Sequence, residues 1–205
     1  MSWSPPAGTA ALIFDCDGTL ADTMPAHYRA WVAVLDGVGI SFGEVRFYQL
    51  GGVPTEKIVR IIAAETGVSI TEEQVARLTH DKEAAFTDML DRVTPIEPVK
   101  AIAERYRGKL PMAVASGGYR QVIARTVRVV GMADWFDAMV CAEDTTRHKP
   151  EPDVFLEAAR RLSVDAARCV VFEDTDIGLE AARRAGMVGV DVRPWLPPRD
   201  GEAVR

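Results

Sequence analysis

Five short apolar runs, separated by stretches with helical spacing, set the pattern of this chain. Each run is almost continuously apolar and is bounded by polar or turn residues, as is typical of strands buried on both faces of a parallel sheet. The predicted strands cover residues 12–14, 112–115, 138–141, 169–172 and, with a weaker apolar pattern, 188–192. Apolar helix faces lie at 154–162 and at 177–185, and Gly186 closes the second. The alternation from residue 95 onward predicts an α/β fold with a doubly wound, mainly parallel, Rossmann-like sheet.

Residues 24–93 interrupt that alternation. The segments 25–35, 55–64 and 71–90 have helical patterns, and none contains a convincing strand. Thr71 to Gln74 loosely fits an N-terminal capping pattern. This block is predicted to be an inserted all-helical cap, so that residues 1–23 and 94–205 form the catalytic core.

Composition narrows the class of protein. The 205 residues are 48% hydrophobic and 26% charged with a net charge of −6, which disfavours nucleic acid as a partner. No apolar run approaches the length of a membrane span. The number of cysteines is odd and their spacing shows no pairs, which favours reduced thiols at Cys16, Cys141 and Cys169. Together with the lack of a signal-peptide pattern at the start, this favours a cytoplasmic location. The small size is compatible with a monomer or weak dimer.

Two carboxylates follow the first predicted strand. Asp15 and Asp17 are two residues apart, so on extended backbone their side chains point the same way. Two like charges at one place repel unless a cation or a shared proton relieves them. The pair therefore predicts a metal-assisted carboxylate site, with one aspartate as nucleophile and its neighbour as proton shuttle.

Three more strands are followed by polar residues of complementary chemistry. Ser116 and Gly117 follow the second strand, Lys149 lies after the third, and Glu173-Asp174 end the fourth. Ligands of open α/β sheets bind at the carboxyl ends of the strands. Acids bind Mg²⁺, whereas a hydroxyl, backbone N–H groups and a lysine bind phosphate oxygens. Each segment alone fits an ordinary turn or surface charge, but the four together predict a phosphoryl-transfer site.

These four segments, in this order, resemble the haloacid dehalogenase superfamily of phosphotransferases over essentially the whole chain. The resemblance implies that Asp15 is the nucleophile and forms an aspartyl-phosphate. Asp17 would protonate the leaving oxygen and then activate water, while Ser116, Gly117 and Lys149 would bind the phosphoryl group. Members that cleave carbon–halogen bonds lack the second acid, so Asp17 disfavours dehalogenation.

The same resemblance implies a Mg²⁺ cofactor. Asp15, the backbone carbonyl of Asp17, and Asp174 would hold the cation, with Glu173 assisting. The helical cap would close over the substrate, exclude bulk water and select the leaving group.

Finer features point to a subgroup. Residues 21–31 resemble the cap entry of β-phosphoglucomutase-like proteins. The stretch from Gly52 onward and residues 171–178 look closest to bacterial sugar-phosphate phosphatases of that subgroup, which include enzymes acting on fructose 1-phosphate and 6-phosphogluconate. The resemblance therefore implies a small phosphorylated sugar or sugar acid as the substrate. The mutases carry Arg-Leu-Lys-Gly in the cap to hold the second phosphate, where this chain has Gln49-Leu50-Gly51-Gly52. Two cations are missing there, which favours a phosphatase. A β-phosphoglucomutase is the alternative, with Arg46 or Lys57 as the substitute cation.

The role of His27 and the class of protein each allow more than one hypothesis. His27 shares a helix face with Trp31, and either packing or a substrate-side or proton-relay role fits it. A receiver-like signalling module also phosphorylates an aspartate beside Mg²⁺, but it lacks a cap and takes its acceptor from a later strand. A degenerate, partner-binding relative is disfavoured by the intact acid set.

Overall fold

The structure is a computed structural model, and it describes residues 3–196 of the chain. All the predicted strands are present and parallel, in the order β3-β2-β1-β4-β5. They are β1 Ala11–Phe14, β2 Met112–Ala115, β3 Ala138–Val140, β4 Cys169–Glu173 and β5 Val188–Asp191. The predicted fold class is confirmed.

Strand order puts β1 at the centre of the sheet. The sheet continues to β2 and β3 on one side of β1 and to β4 and β5 on the other, so β1 lies at the topological switch point where such sheets bind ligands. Phe14 pairs with Val114 of β2 and with Phe172 of β4. The residues that follow these three positions therefore reach the same edge of the sheet.

The core helices are α5 Glu97–Tyr106, α6 Arg120–Val129, α7 Asp153–Leu162 and α8 Asp176–Arg184. On one sheet face small apolar residues such as Ala11 and Ala113 pack against α7 and α8. On the other face Phe14 stacks on Phe172, with ring centroids 4.7 Å apart, and Trp3 meets Phe172 edge-on. Burial on both faces explains why β1 and β2 are apolar throughout and why β4 is apolar up to Glu173, its last residue.

The chain divides into two compact units, and in the described range these are residues 3–22 with 93–196, and residues 23–92. Residues 197–205, which the predicted core includes, lie outside the described range. The second unit contains α1 Met24–Asp36, α2 Glu44–Gln49, α3 Thr55–Thr66 and α4 Glu72–Met89, and we call it the cap. It has an apolar core of its own around Trp31 and Phe47.

The local sequence patterns of the cap predicted the start of α4 but not the short helix α2. The capping box at the start of α4 is confirmed, since Thr71 Oγ1 accepts from the Gln74 N–H and the Gln74 side chain accepts from the Thr71 N–H. The pattern did not predict α2, because six residues are too few to show a helical period. In residues 3–196 no helix is both long and apolar enough to cross a membrane.

Candidate active site

Asp15 leaves the central strand at its carboxyl end. Its backbone N–H donates to the Phe172 carbonyl at 3.0 Å, and its side chain is buried. The chain then turns sharply, since the N–H groups of Thr19, Leu20 and Ala21 all donate to the Cys16 carbonyl. Gly18 has φ +80°, which glycine adopts without strain. The turn holds Asp15 and Asp17 at the end of the sheet.

A single lysine joins two of the predicted strand-end acids. Lys149 Nζ lies 2.6 Å from Asp15 Oδ1 and 2.6 Å from Glu173 Oε1. All three side chains are almost fully buried, and the Phe155 ring lies 4.9 Å from the ammonium. Burial lowers the pKa of Lys149, but the two carboxylates outweigh burial and raise that pKa above its ordinary value. The lysine is therefore held as a cation against Asp15.

Glu173 holds Lys149 in place through hydrogen bonds to both of its carboxylate oxygens. Its side chain is 1% exposed. Oε1 accepts from Lys149, while Oε2 accepts from the Thr175 N–H at 2.7 Å and from Thr175 Oγ1 at 2.9 Å. Both carboxylate oxygens are thus engaged by protein donors. Thr175 also caps α8, because its Oγ1 accepts from the Gly178 N–H.

Asp174 lies against the turn that follows Asp17. Thr19 Oγ1 donates to Asp174 Oδ1 at 3.0 Å, and a Cβ built on Gly18 would come within 2.2 Å of Asp174 Oδ2. Burial, with the charge of Glu173, raises the pKa of Asp174 to about 7, although the Thr19 hydrogen bond and Lys149 oppose the shift. The absence of a side chain at Gly18 allows this close approach.

The pKa of Asp15 is also raised well above its usual value. Burial is the largest cause, Lys149 opposes it, and the charges of Glu173, Asp174 and Asp17 add to it. Four acids and one ammonium therefore share one edge of the sheet. Such an excess of negative charge favours binding of a cation.

This donor set fits Mg²⁺. Within residues 3–196 no three His, Cys, Asp or Glu side chains are already assembled around one point as a metal site. The predicted ligands include only two side chains, the carboxylates of Asp15 and Asp174, and the third ligand is the backbone carbonyl of Asp17. These are all oxygen donors, and Mg²⁺ characteristically takes one or two carboxylates and keeps several waters. Glu173, whose oxygens contact Lys149 and Thr175, remains a predicted assisting group.

Ser116 and Gly117 lie at the end of β2, next to β1. Ser116 is buried, its N–H donates to the Val140 carbonyl, and its Oγ accepts from the Gly118 N–H at 3.0 Å. Gly117 is exposed, and a Cβ there would meet nothing within 4 Å. The Ser116 hydroxyl is thus fixed by its own loop at the edge that carries Asp15.

In the cap, His27 contacts a residue that the motifs did not identify. His27 Nδ1 lies 2.9 Å from Lys82 Nζ, and its ring stacks on Phe86. Lys82 is 3% exposed and also pairs with Glu83 at 3.0 Å. This pairing satisfies a buried ammonium, and it is compatible with both hypotheses for His27.

A signal for Lys82 is present in the sequence. The buried positions of α4 fall at helical spacing, and a lysine occupies one of them: Val75, Leu78, Lys82 and Phe86. A charged residue within an apolar stripe marks a buried polar contact.

Comparison with known proteins gives a consistent family. The family model described as "Hydrolase: haloacid dehalogenase-like hydrolase" matches residues 9–186. The chain is 39% identical over 184 residues to the fructose-1-phosphate phosphatase YqaB of Escherichia coli (strain K12), covering 90% of this chain and 96% of that protein. It is 30% identical to the β-phosphoglucomutase of Bacillus subtilis (strain 168), covering 91% of this chain and 84% of the relative. A crystal structure of β-phosphoglucomutase from Clostridium difficile superposes with a TM-score of 0.80 at 25% identity, covering 89% of this chain and 84% of that one.

Proposed function

We propose that this chain, which belongs to the haloacid dehalogenase-like hydrolase family, is a Mg²⁺-dependent phosphatase of small phosphorylated sugars or sugar acids. The observation that carries the proposal is the buried Lys149 ammonium, 2.6 Å from both Asp15 and Glu173 at the switch point of the sheet. A cation beside a strand-end carboxylate can neutralise a phosphoryl group that the carboxylate attacks. The similarity to the fructose-1-phosphate phosphatase supports the substrate class.

The first half-reaction uses Asp15 and Asp17. An Asp15 carboxylate oxygen attacks phosphorus, and the bond from phosphorus to the sugar oxygen breaks. Asp17 donates its proton to that leaving oxygen, which departs as the sugar hydroxyl. Ser116, the Gly117 N–H and Lys149 bind the non-bridging phosphoryl oxygens.

The second half-reaction releases phosphate. Asp17, now a carboxylate, takes a proton from a water molecule, and the water oxygen attacks the phosphorus on Asp15. The bond between phosphorus and Asp15 breaks, so that inorganic phosphate leaves and Asp15 is regenerated. Mg²⁺, held by Asp15, Asp174 and the Asp17 carbonyl, would supply charge neutralisation for the phosphoryl oxygens.

Contacts inside the cap show how the two candidate substitute cations are placed. Arg46 is a candidate for the missing cap cation, but its guanidinium is bound by Glu65 at 2.5 Å and 3.1 Å and by Gln49 at 3.3 Å. The pair is exposed, and such surface pairs contribute little to stability. Lys57 is exposed and lies in the first turn of α3. Both cations therefore belong in the test.

The test compares two outcomes in one enzyme preparation. Phosphate release is measured with fructose 1-phosphate, 6-phosphogluconate and other sugar phosphates, with Mg²⁺ and with chelator. Formation of glucose 6-phosphate from β-glucose 1-phosphate is measured with a bisphosphate primer. We expect Mg²⁺-dependent phosphate release and little glucose 6-phosphate, both unchanged in Arg46→Ala and Lys57→Ala. Fast primed isomerisation that either substitution abolishes would establish the mutase instead.

A further inference from the structure

We infer that Gly178 is a positioning residue: its missing side chain creates the space in which Glu173 holds Lys149 against Asp15. A Cβ built on Gly178 would lie 1.9 Å from Glu173 Oε1 and 2.0 Å from its carboxyl carbon. Ordinary contact begins at 3.4 Å. The carboxylate therefore occupies the volume that any other residue would fill.

Backbone conformation does not explain a glycine at this position. Gly178 is the third residue of α8, and its φ lies outside the left-handed region where glycine is favoured. Alanine is the better helix former in such a position. The close approach of Glu173 is the feature of this structure that requires glycine here.

A connected chain of contacts leads from Gly178 to the reacting carboxylate. Glu173 Oε1, the atom nearest to the missing Cβ, is also the atom that accepts from Lys149 Nζ at 2.6 Å. The same ammonium donates to Asp15 Oδ1 at 2.6 Å. Oε2 is fixed on Thr175, so Oε1 cannot withdraw without disturbing those bonds. A displacement of Glu173 is thus passed to Lys149, which contacts substrate in the proposed function on which this inference rests.

Gly178→Ala is the direct test. The displaced atoms are the end of a flexible side chain rather than backbone, so we expect the variant to fold. A shift of about 1 Å in a group that orients the reaction costs about 100-fold, so we expect kcat for phosphate release to fall by about 10- to 100-fold. Gly43→Ala is the matched control, because Gly43 has φ −73° and a Cβ there meets nothing within 4 Å. A Gly178→Ala kcat within threefold of the Gly43→Ala value would overturn the inference.

A suppressor separates positioning from a general packing defect. Glu173→Asp shortens the acid by one C–C bond, about 1.5 Å. This is the difference between the 1.9 Å from the built Cβ to Glu173 Oε1 and the 3.4 Å at which ordinary contact begins. We expect Glu173→Asp to lower activity, and Gly178→Ala to have no further effect in that background. A further loss of more than threefold, or failure of the double variant to fold, would contradict the inference, because the shortened acid no longer meets the Cβ.

A readout without substrate distinguishes this inference from the proposed function. Acetylation of Lys149 is followed by mass spectrometry in metal-free enzyme, with the exposed Lys57 as internal reference. We expect Lys149 to react at least threefold faster in Gly178→Ala than in Gly43→Ala. A smaller change would overturn the positioning role even if phosphatase activity is found. Faster labelling in an enzyme that releases no phosphate would uphold positioning and reject the proposed function.

Discussion

Removing the Lys149 ammonium should destabilise the fold as well as the activity. Lys149→Met keeps most of the side-chain length but leaves Asp15 and Glu173 buried beside each other without their shared cation. Breaking a buried ion pair from one side costs about 3–5 kcal/mol. For a chain of this size 1 kcal/mol corresponds to roughly 2–4 °C, so we expect the melting temperature to fall by roughly 6–20 °C.

The loss should depend on pH with a definite sign. In the native enzyme burial raises the pKa of Asp15, and Lys149 opposes that rise. Without the lysine the folded-state pKa of Asp15 rises further above its unfolded value. A group whose pKa is raised on folding binds more protons in the folded state, so stability increases as pH falls. The deficit of Lys149→Met relative to wild type should therefore shrink as pH falls.

Thermal melting followed by circular dichroism, in chelator and at several pH values, measures both effects. Lys57→Met is the matched control, because it makes the same chemical change at an exposed lysine. Adding Glu173→Gln to Lys149→Met removes one of the two unpaired charges and should recover part of the loss. The reasoning is refuted if the two methionine variants melt within about 2 °C of each other at neutral pH, or if the deficit grows as pH falls.

Three further outcomes follow from the proposed mechanism. Asp15→Asn should fold normally and release no phosphate from a generic phosphate ester; turnover near the wild-type rate would exclude an aspartyl-phosphate. Asp17→Asn should lower kcat by about 10²- to 10⁴-fold with little change in KM, because proton transfer acts in the transition state; a raised KM at constant kcat would make Asp17 a binding residue. Chelator should abolish activity and Mg²⁺ should restore it, and undiminished turnover in excess chelator would remove the metal role assigned to Asp174.

Much of the fold can be predicted from the order of residues because its causes are local. β1, β2 and β4 are buried on both faces, so their sequences are apolar up to the last residue of β4, Glu173. Each predicted strand boundary lies within one residue of the observed one. The capping box at Thr71 is a four-residue pattern that needs nothing from the rest of the chain. By contrast α2 is too short to show a period, and it packs through Phe47.

In the candidate site, too, the placement of residues can be predicted from the sequence, but their side-chain pairings cannot. Parallel strands end at a common edge, so the placement of Asp15, Ser116 and Glu173 at that edge follows from strand assignment alone. Which acid partners which donor does not follow from it. Glu173 is bound by Lys149 and Thr175, while Asp174 packs on Gly18. Those pairings depend on side-chain directions and on distances of a few ångströms.

The order of residues is therefore enough to predict the doubly wound sheet, the helical block that interrupts it and the set of polar residues at the strand ends. Hydrophobic periodicity and the alternation of strand and helix patterns along the chain encode these features, and both can be read from short segments. The coordinates were needed to find that Lys82 contacts His27 and that Gly178 leaves room for Glu173. The apolar stripe of α4 indicates that Lys82 is buried, but no local pattern identifies its partner or the volume left at Gly178, because both depend on how side chains pack in three dimensions.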